Sequence, residues 1–113
     1  MNLERFETAI KRHIAKIDFL LLAKAKEYAS NEDRLHNFNK AAGITGECRE
    51  KALFGFALKH LVSVMDMIDA HNKTGILPTQ ATLDEKFGDL GAYIAILYAS
   101  FQDKMDTLNE QPR

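Results

Sequence analysis

The sequence predicts an all-α protein, an antiparallel bundle of three long helices plus one short helix, assembled as an oligomer. Three observations predict it. Apolar residues recur at i, i+3/i+4 over three long stretches, 3–28, 47–71 and 82–108. The apolar sides of the later two are wider than a monomeric surface helix needs, and spare apolar surface calls for self-association into a dimer or tetramer. At 113 residues, 46% hydrophobic and 27% charged, the chain fits one ordinary domain, 1–113, with a real core but little to spare.

The first helix is expected from Leu3 to Tyr28. Leu3, Phe6, Ile10, Ile14, Ile17 and Leu21 form its stripe, and neither proline nor glycine interrupts it. The run Phe19 to Ala23 is apolar all round, so the second half should be buried more deeply than the first. The connection 29–46 follows, with Ser30, Asn31 and Asp33 as turn and cap residues. It is long for a structureless link, which points to a short helix at 33–42, closed by Gly43 as its C-cap.

The second long helix is expected over 47–71, with Thr45 as N-cap. Phe54, Ala57, Leu61, Met65 and Ile68 make its main stripe, widened by Leu53, Phe56, His60 and Met67. After the loop at 72–78, Thr82 and Glu85 would form a capping box for the third long helix, which runs to about Leu108 before a frayed tail. Leu83, Phe87, Leu90, Ile94, Leu97, Phe101 and Met105 fall in one stripe and are expected to be bundle core. Ala92, Ile96 and Ala99 give the same helix a second apolar side, so it should be central and flanked on both sides.

Net charge near −1 argues against a nucleic-acid partner, which would call for a clustered basic excess. Cys48 is the only cysteine, so an intrachain disulfide or a cysteine-based zinc cluster is excluded and a reducing compartment fits. The N-terminus carries no signal-type apolar run, and no early stretch is long enough to span a bilayer. The reading is cytoplasmic, with no membrane partner.

If the second and third long helices fold back about residue 77, Asp69 falls level with Glu85 and Asp66 with Asp89. Each pair has helix-face spacing, i, i+3 or i, i+4. Four carboxylates at two adjacent levels would repel unless neutralised, and Mg²⁺ or Mn²⁺ with oxygen ligands is the usual solution. The competing reading makes them solvated or capping charges: Asp66 and Asp69 lie about 140° and 80° from the stripe by helical rotation, and Glu85 near a helix start favours the dipole. Lys59, seven before Asp66, shares its side and could face a phosphate. In the connection, Arg34, His36, Asn37, Phe38 and Lys40 would suit a nucleotide, guanidinium to phosphate, amide to base or ribose, and ring to base face. The competing reading there is a surface turn with Phe38 plugging the bundle.

The stretches 26–42 (KEYASNEDRLHNFNKAA), 56–66 (FALKHLVSVMD) and 85–97 (EKFGDLGAYIAIL) resemble, in order, the MazG-like all-α nucleoside triphosphate pyrophosphohydrolases, especially small phage-type members. The resemblance implies Mg²⁺-dependent cleavage of a nucleoside triphosphate to the monophosphate and pyrophosphate in an oligomeric helical bundle. It implies Asp66, Asp69, Glu85 and Asp89 as metal ligands, with Asp66, Glu85 and Asp89 catalytic. Lys59, Arg34 and Lys86 would offset phosphate charge, and Asn37, Phe38 and Tyr93 would contact the nucleoside. The family's ExxE…ExxD pattern stands here as Asp66-x-x-Asp69 and Glu85-x-x-x-Asp89, with aspartates in the first half and a longer second spacing. The rival expectation is a non-catalytic helical interaction module.

Overall fold

The structure, a computed structural model, describes the backbone at residues 1–28 and 33–110, with side chains of the first helix described as far as Ala23. The turn residues Ser30 and Asn31 lie outside the described residues. Four helices follow in order: α1 Leu3–Tyr28, α2 His36–Thr45, α3 Arg49–Thr74 and α4 Gln80–Glu110. Among the described residues there is no strand, and no helix is long and apolar enough to cross a membrane.

Local chemistry sets the helix ends. Asn2 caps α1, its Oδ1 accepting from Arg5 N at 2.9 Å. Asp33 organises the entry to α2: its Oδ1 accepts from Leu35 N at 2.9 Å and its Oδ2 from Asn39 Nδ2 at 3.0 Å. The short helix therefore starts later than 33 and ends at Gly46 rather than Gly43. Gly46 has φ 72°, the left-handed conformation a C-cap needs, whereas Gly43 lies inside the helix with open space around it. That displaces the start of α3 from Thr45 to Cys48, and its end to Gly75, also at φ 72°. At α4 the cap is Thr79, whose Oγ1 accepts from Thr82 N at 3.2 Å. Thr82 is thus inside the helix, and Glu85 is released from the capping box the sequence suggested.

Helix α4 is central, as expected: α3 packs antiparallel on one flank and α1 on the other, while α2 lies against α3. Among the described residues α1 and α3 do not meet. The core matches expectation in part: Leu53, Ala57 and Ala92 are buried and Leu90, Ile96 and Leu97 partly so, but much of the bulky stripe is not core. Buried on α4 are Gly88, Ala92, Tyr93 and Ser100; on α3 they are Glu50, Leu53, Ala57 and Val64. The long stripe Leu83, Phe87, Ile94, Phe101 and Met105 is instead exposed, as are Phe54, Leu61, Met65 and Ile68 of α3 and Phe6, Ile10 and Ile14 of α1. The second half of α1 is more buried than the first, as expected, at Lys16, Ile17, Leu20 and Leu21, although Phe19 and Leu22 of the all-apolar run stay exposed.

The physical reason is close approach. Helix α1 crosses α4 over two glycines: a Cβ at Gly88 would lie 2.8 Å from Lys16 Cγ, and one at Gly91 would lie 2.6 Å from Ile17 Cδ1. At this crossing glycines supply the α4 surface, and the bulky Leu83, Phe87 and Ile94 of α4 remain outside it. The chain is correspondingly open, with a radius of gyration of 17.0 Å against about 13 Å for a compact domain of this length.

Candidate functional site

The α3–α4 hairpin builds a row of rings. Tyr93, buried in the core, is stacked by His60 at 4.9 Å and 18°, and by Phe56 at 6.1 Å and 11°. Phe38 of α2 meets Phe56 edge-on at 5.7 Å. The spacing Phe56 to His60 puts both rings on one side of α3, one turn apart, where Tyr93 fits between them. Phe56 remains nearly half exposed, so the row ends at solvent.

At the His60 end stands Asp89, with Oδ2 3.8 Å from His60 Nδ1; both side chains are about one-fifth exposed. That separation is too long for a direct hydrogen bond but close for a charge facing an imidazole. Asp89 is thus the acid that the structure turns toward α3, and its facing residue is His60 rather than Asp66. Being level on two helices is not the same as facing. Asp66 and Asp69 are exposed and lie about 140–160° round α3 from its buried row, on the flank turned from α4. Glu85, one turn before Asp89, is exposed. Among the described residues, no group of three or more His, Cys, Asp or Glu side chains stands together as a metal cage.

The remaining expected contacts surround this row. Phe38 is buried within the core cluster with Leu53, Ala57 and Tyr93, so it plugs the bundle and braces Phe56 edge-on from the core side. Arg34 and Asn37 are exposed at the start of α2, Lys59 is exposed beside His60, and Lys86 is half-buried beside Glu85.

A second polar constellation was not singled out by the sequence. Glu50 in the first turn of α3 is buried and accepts from the Ser100 hydroxyl and the Lys104 ammonium of α4. Arg49 Nε donates to Ser100 Oγ at 2.7 Å, and its other nitrogens reach Asp103 at 3.0 Å and Asn39 at 3.2 Å. Burial pushes the Glu50 carboxyl up, but the Lys104 and Ser100 hydrogen bonds outweigh it and bring the pKa down to about 2. Every member has a partner, so this is a clasp joining α2, α3 and α4. The only sequence signal was the adjacent Arg49–Glu50 pair opposite a lone serine in an apolar helix.

A third constellation ties α1 to α4. Arg12 pairs with Asp84 at 2.7 Å, and Gln80 Nε2 donates to the same carboxylate at 2.9 Å. The Arg12 and Gln80 hydrogen bonds hold the Asp84 carboxyl below its ordinary range. Beside this pair a cavity of about 790 Å³ opens between α1 and α4, floored by Ile10, Leu83 and Phe87. It lies away from the ring row, and its apolar floor belongs to the exposed stripes.

Comparisons with protein-family models, with curated proteins and with solved structures return no match to this chain.

Proposed function

We propose that the ring row with Asp89 binds a nucleoside triphosphate, and that the chain is a Mg²⁺-dependent nucleotide pyrophosphohydrolase of MazG-like type or a nucleotide-binding relative of it, acting in the cytoplasm. The observation that supports this reading is the stack Phe56–Tyr93–His60 with a carboxylate at one end and a half-exposed ring at the other. A base adds to Phe56 as the next ring, with Asn37 at its edge. The phosphates then run toward Lys59, Lys86 and Arg34, which offset their charge.

The donor set fits magnesium in one form. With no three-ligand cage among the described residues, the chain offers Asp89, with Glu85 one turn before it, while Asp66 and Asp69 stand on the flank of α3 turned from α4. Magnesium is commonly held by one or two carboxylates plus substrate phosphates and waters, so it would arrive with the nucleotide. When bound it would neutralise phosphate charge and orient the attacking water. In the cleavage step, the water oxygen bonds to the α-phosphorus, the bond to the bridging oxygen breaks, and pyrophosphate leaves. The His60–Asp89 pair takes the proton released by the water.

The test is pyrophosphate release from a panel of nucleoside and deoxynucleoside triphosphates with Mg²⁺. Release by the native chain, lost in Asp89→Ala, is expected; no release and no nucleotide binding by any member would refute the reading. A second reading, a non-catalytic helical interaction module, is favoured by the width of the exposed apolar surface. It predicts that Asp89→Ala changes nothing except stability.

A further inference from the structure

We infer that a second copy of this chain docks on a single apolar face built by α1, α3 and α4, forming an isologous dimer. This rests on the surface and not on the nucleotide reading.

The three exposed stripes lie on the same side of the molecule. On α4, the residues touching α1 (Asp84, Gly88, Gly91) and those touching α3 (Asp89, Tyr93, Ser100) are about 150° apart by helical rotation. The row Leu83, Phe87, Ile94, Phe101 and Met105 lies on the wider side between them, about 90° from the first set and about 120° from the second. On α3, Phe54, Leu61, Met65 and Ile68 lie about 80° round from the row facing α4. On α1, Phe6, Ile10 and Ile14 lie about 55° round from the row formed by His13, Ile17 and Leu20. Because α3 runs antiparallel to α4 and α1 runs with it, all three rotations carry their rows to one side. Phe56 and Asp89 turn to the opposite side.

The area matches what a dimer needs. The accessible surface is 8514 Å², whereas a compact monomer of 12.8 kDa exposes about 6,300 Å². The excess of about 2,200 Å² per chain lies within the range an obligate dimer buries per protomer. The α4 row is some 33 Å long, and with α3 beside it the face covers roughly 700–1,000 Å², comparable to the ~800 Å² per partner of a standard interface.

Charge identifies the occupant. The row positions themselves, Phe54, Leu61, Met65 and Ile68 on α3 and Leu83, Phe87, Ile94, Phe101 and Met105 on α4, are all apolar, and the charged residues between them, such as Lys59, Asp66, Asp84 and Lys86, fall at other rotations. A two-fold axis sets a patch against itself, so like charges would repel; a chargeless apolar patch is self-compatible. The cavity floored by Ile10, Leu83 and Phe87 would accept side chains of the partner copy.

Light scattering and sedimentation of the native chain at micromolar concentration should give twice 12.8 kDa, or an even multiple of it. A monomer or a trimer would overturn the inference. Ile94→Glu and Met65→Glu should each give a helical monomer, while Lys11→Glu, outside the face, keeps the native mass. Folded variants that both remain dimeric would overturn the face. If the variants fail to fold, isotope-filtered nuclear Overhauser contacts in mixed labelled and unlabelled native protein decide. Intermolecular contacts from the Ile94 and Met65 methyls are expected, and contacts arising only elsewhere would overturn the proposal.

Discussion

Replacing Glu50 tests how the helices are clasped. The carboxylate is buried, carries two donors from α4, and has its pKa brought from 4.5 to about 2. At about 1.4 kcal/mol per pH unit, that difference stabilises the fold by roughly 3 kcal/mol at neutral pH. The sign follows from the depressed pKa. Stabilisation is complete above the unfolded value near 4.5 and is lost as pH falls toward 2. In Glu50→Ala, Arg49 keeps Asp103, Asn39 and Ser100 as partners, and Lys104, half exposed, returns to water. The cost should therefore be about 2–3 kcal/mol, below the ~3–5 kcal/mol of a fully isolated buried charge. Glu50→Gln keeps the shape and removes the titration. Urea denaturation followed by circular dichroism, at one protein concentration, compares native and Glu50→Gln protein from pH 7 to pH 3. Their stability gap should narrow by roughly 2 kcal/mol between pH 5 and pH 3. A gap that stays constant across that window would refute the account of a strongly held carboxylate.

Other expectations are separate from that one. Gly91→Ala should destabilise by about 1 kcal/mol in urea denaturation: the helix-propensity gain of ~1 kcal/mol is smaller than the cost of crowding Ile17, two of whose atoms would lie 2.6 and 2.9 Å from the new Cβ. Thr79→Ala should cost about 1 kcal/mol through the lost cap, and Thr82→Ala clearly less, in the same assay. Mg²⁺ alone should leave the melting midpoint unchanged, whereas Mg²⁺ with a non-hydrolysable nucleoside triphosphate should raise it by mass action. A rise with Mg²⁺ alone would mean that the acids form a cage without phosphate.

The bundle was legible because periodicity survives any packing choice. The span of α1 came directly from its uninterrupted stripe, and the centrality of α4 from its second, small-residue side. The caps were less legible. Two glycines three apart, Gly43 and Gly46, offer the same signal, and only backbone geometry chooses the second. The core was legible at Leu53, Ala57 and Ala92 but misread elsewhere, because bulky residues look like core in a sequence. Here Gly88 and Gly91 allow close helix crossing, and Phe87, Ile94 and Phe101 are left outside. At the candidate site, Asp89 stood out by its neighbours and Phe38 by its type, while Tyr93 entered only through the resemblance. The pairing of His60 with Asp89 was not, because level arithmetic on a hairpin ignores rotation about each helix. The Glu50 clasp escaped for the same reason, since Ser100 looks like an ordinary small residue until Arg49 and Glu50 are seen across from it.

The most direct measurement is a calorimetric titration of a non-hydrolysable nucleoside triphosphate with Mg²⁺ into native protein and into Asp89→Ala. Saturable binding by the native chain, weakened at least tenfold in the variant, a loss of about 1.4 kcal/mol or more, is the predicted result. The absence of binding for every nucleotide tried, or equal binding by both proteins, would contradict a nucleotide site at the ring row and Asp89.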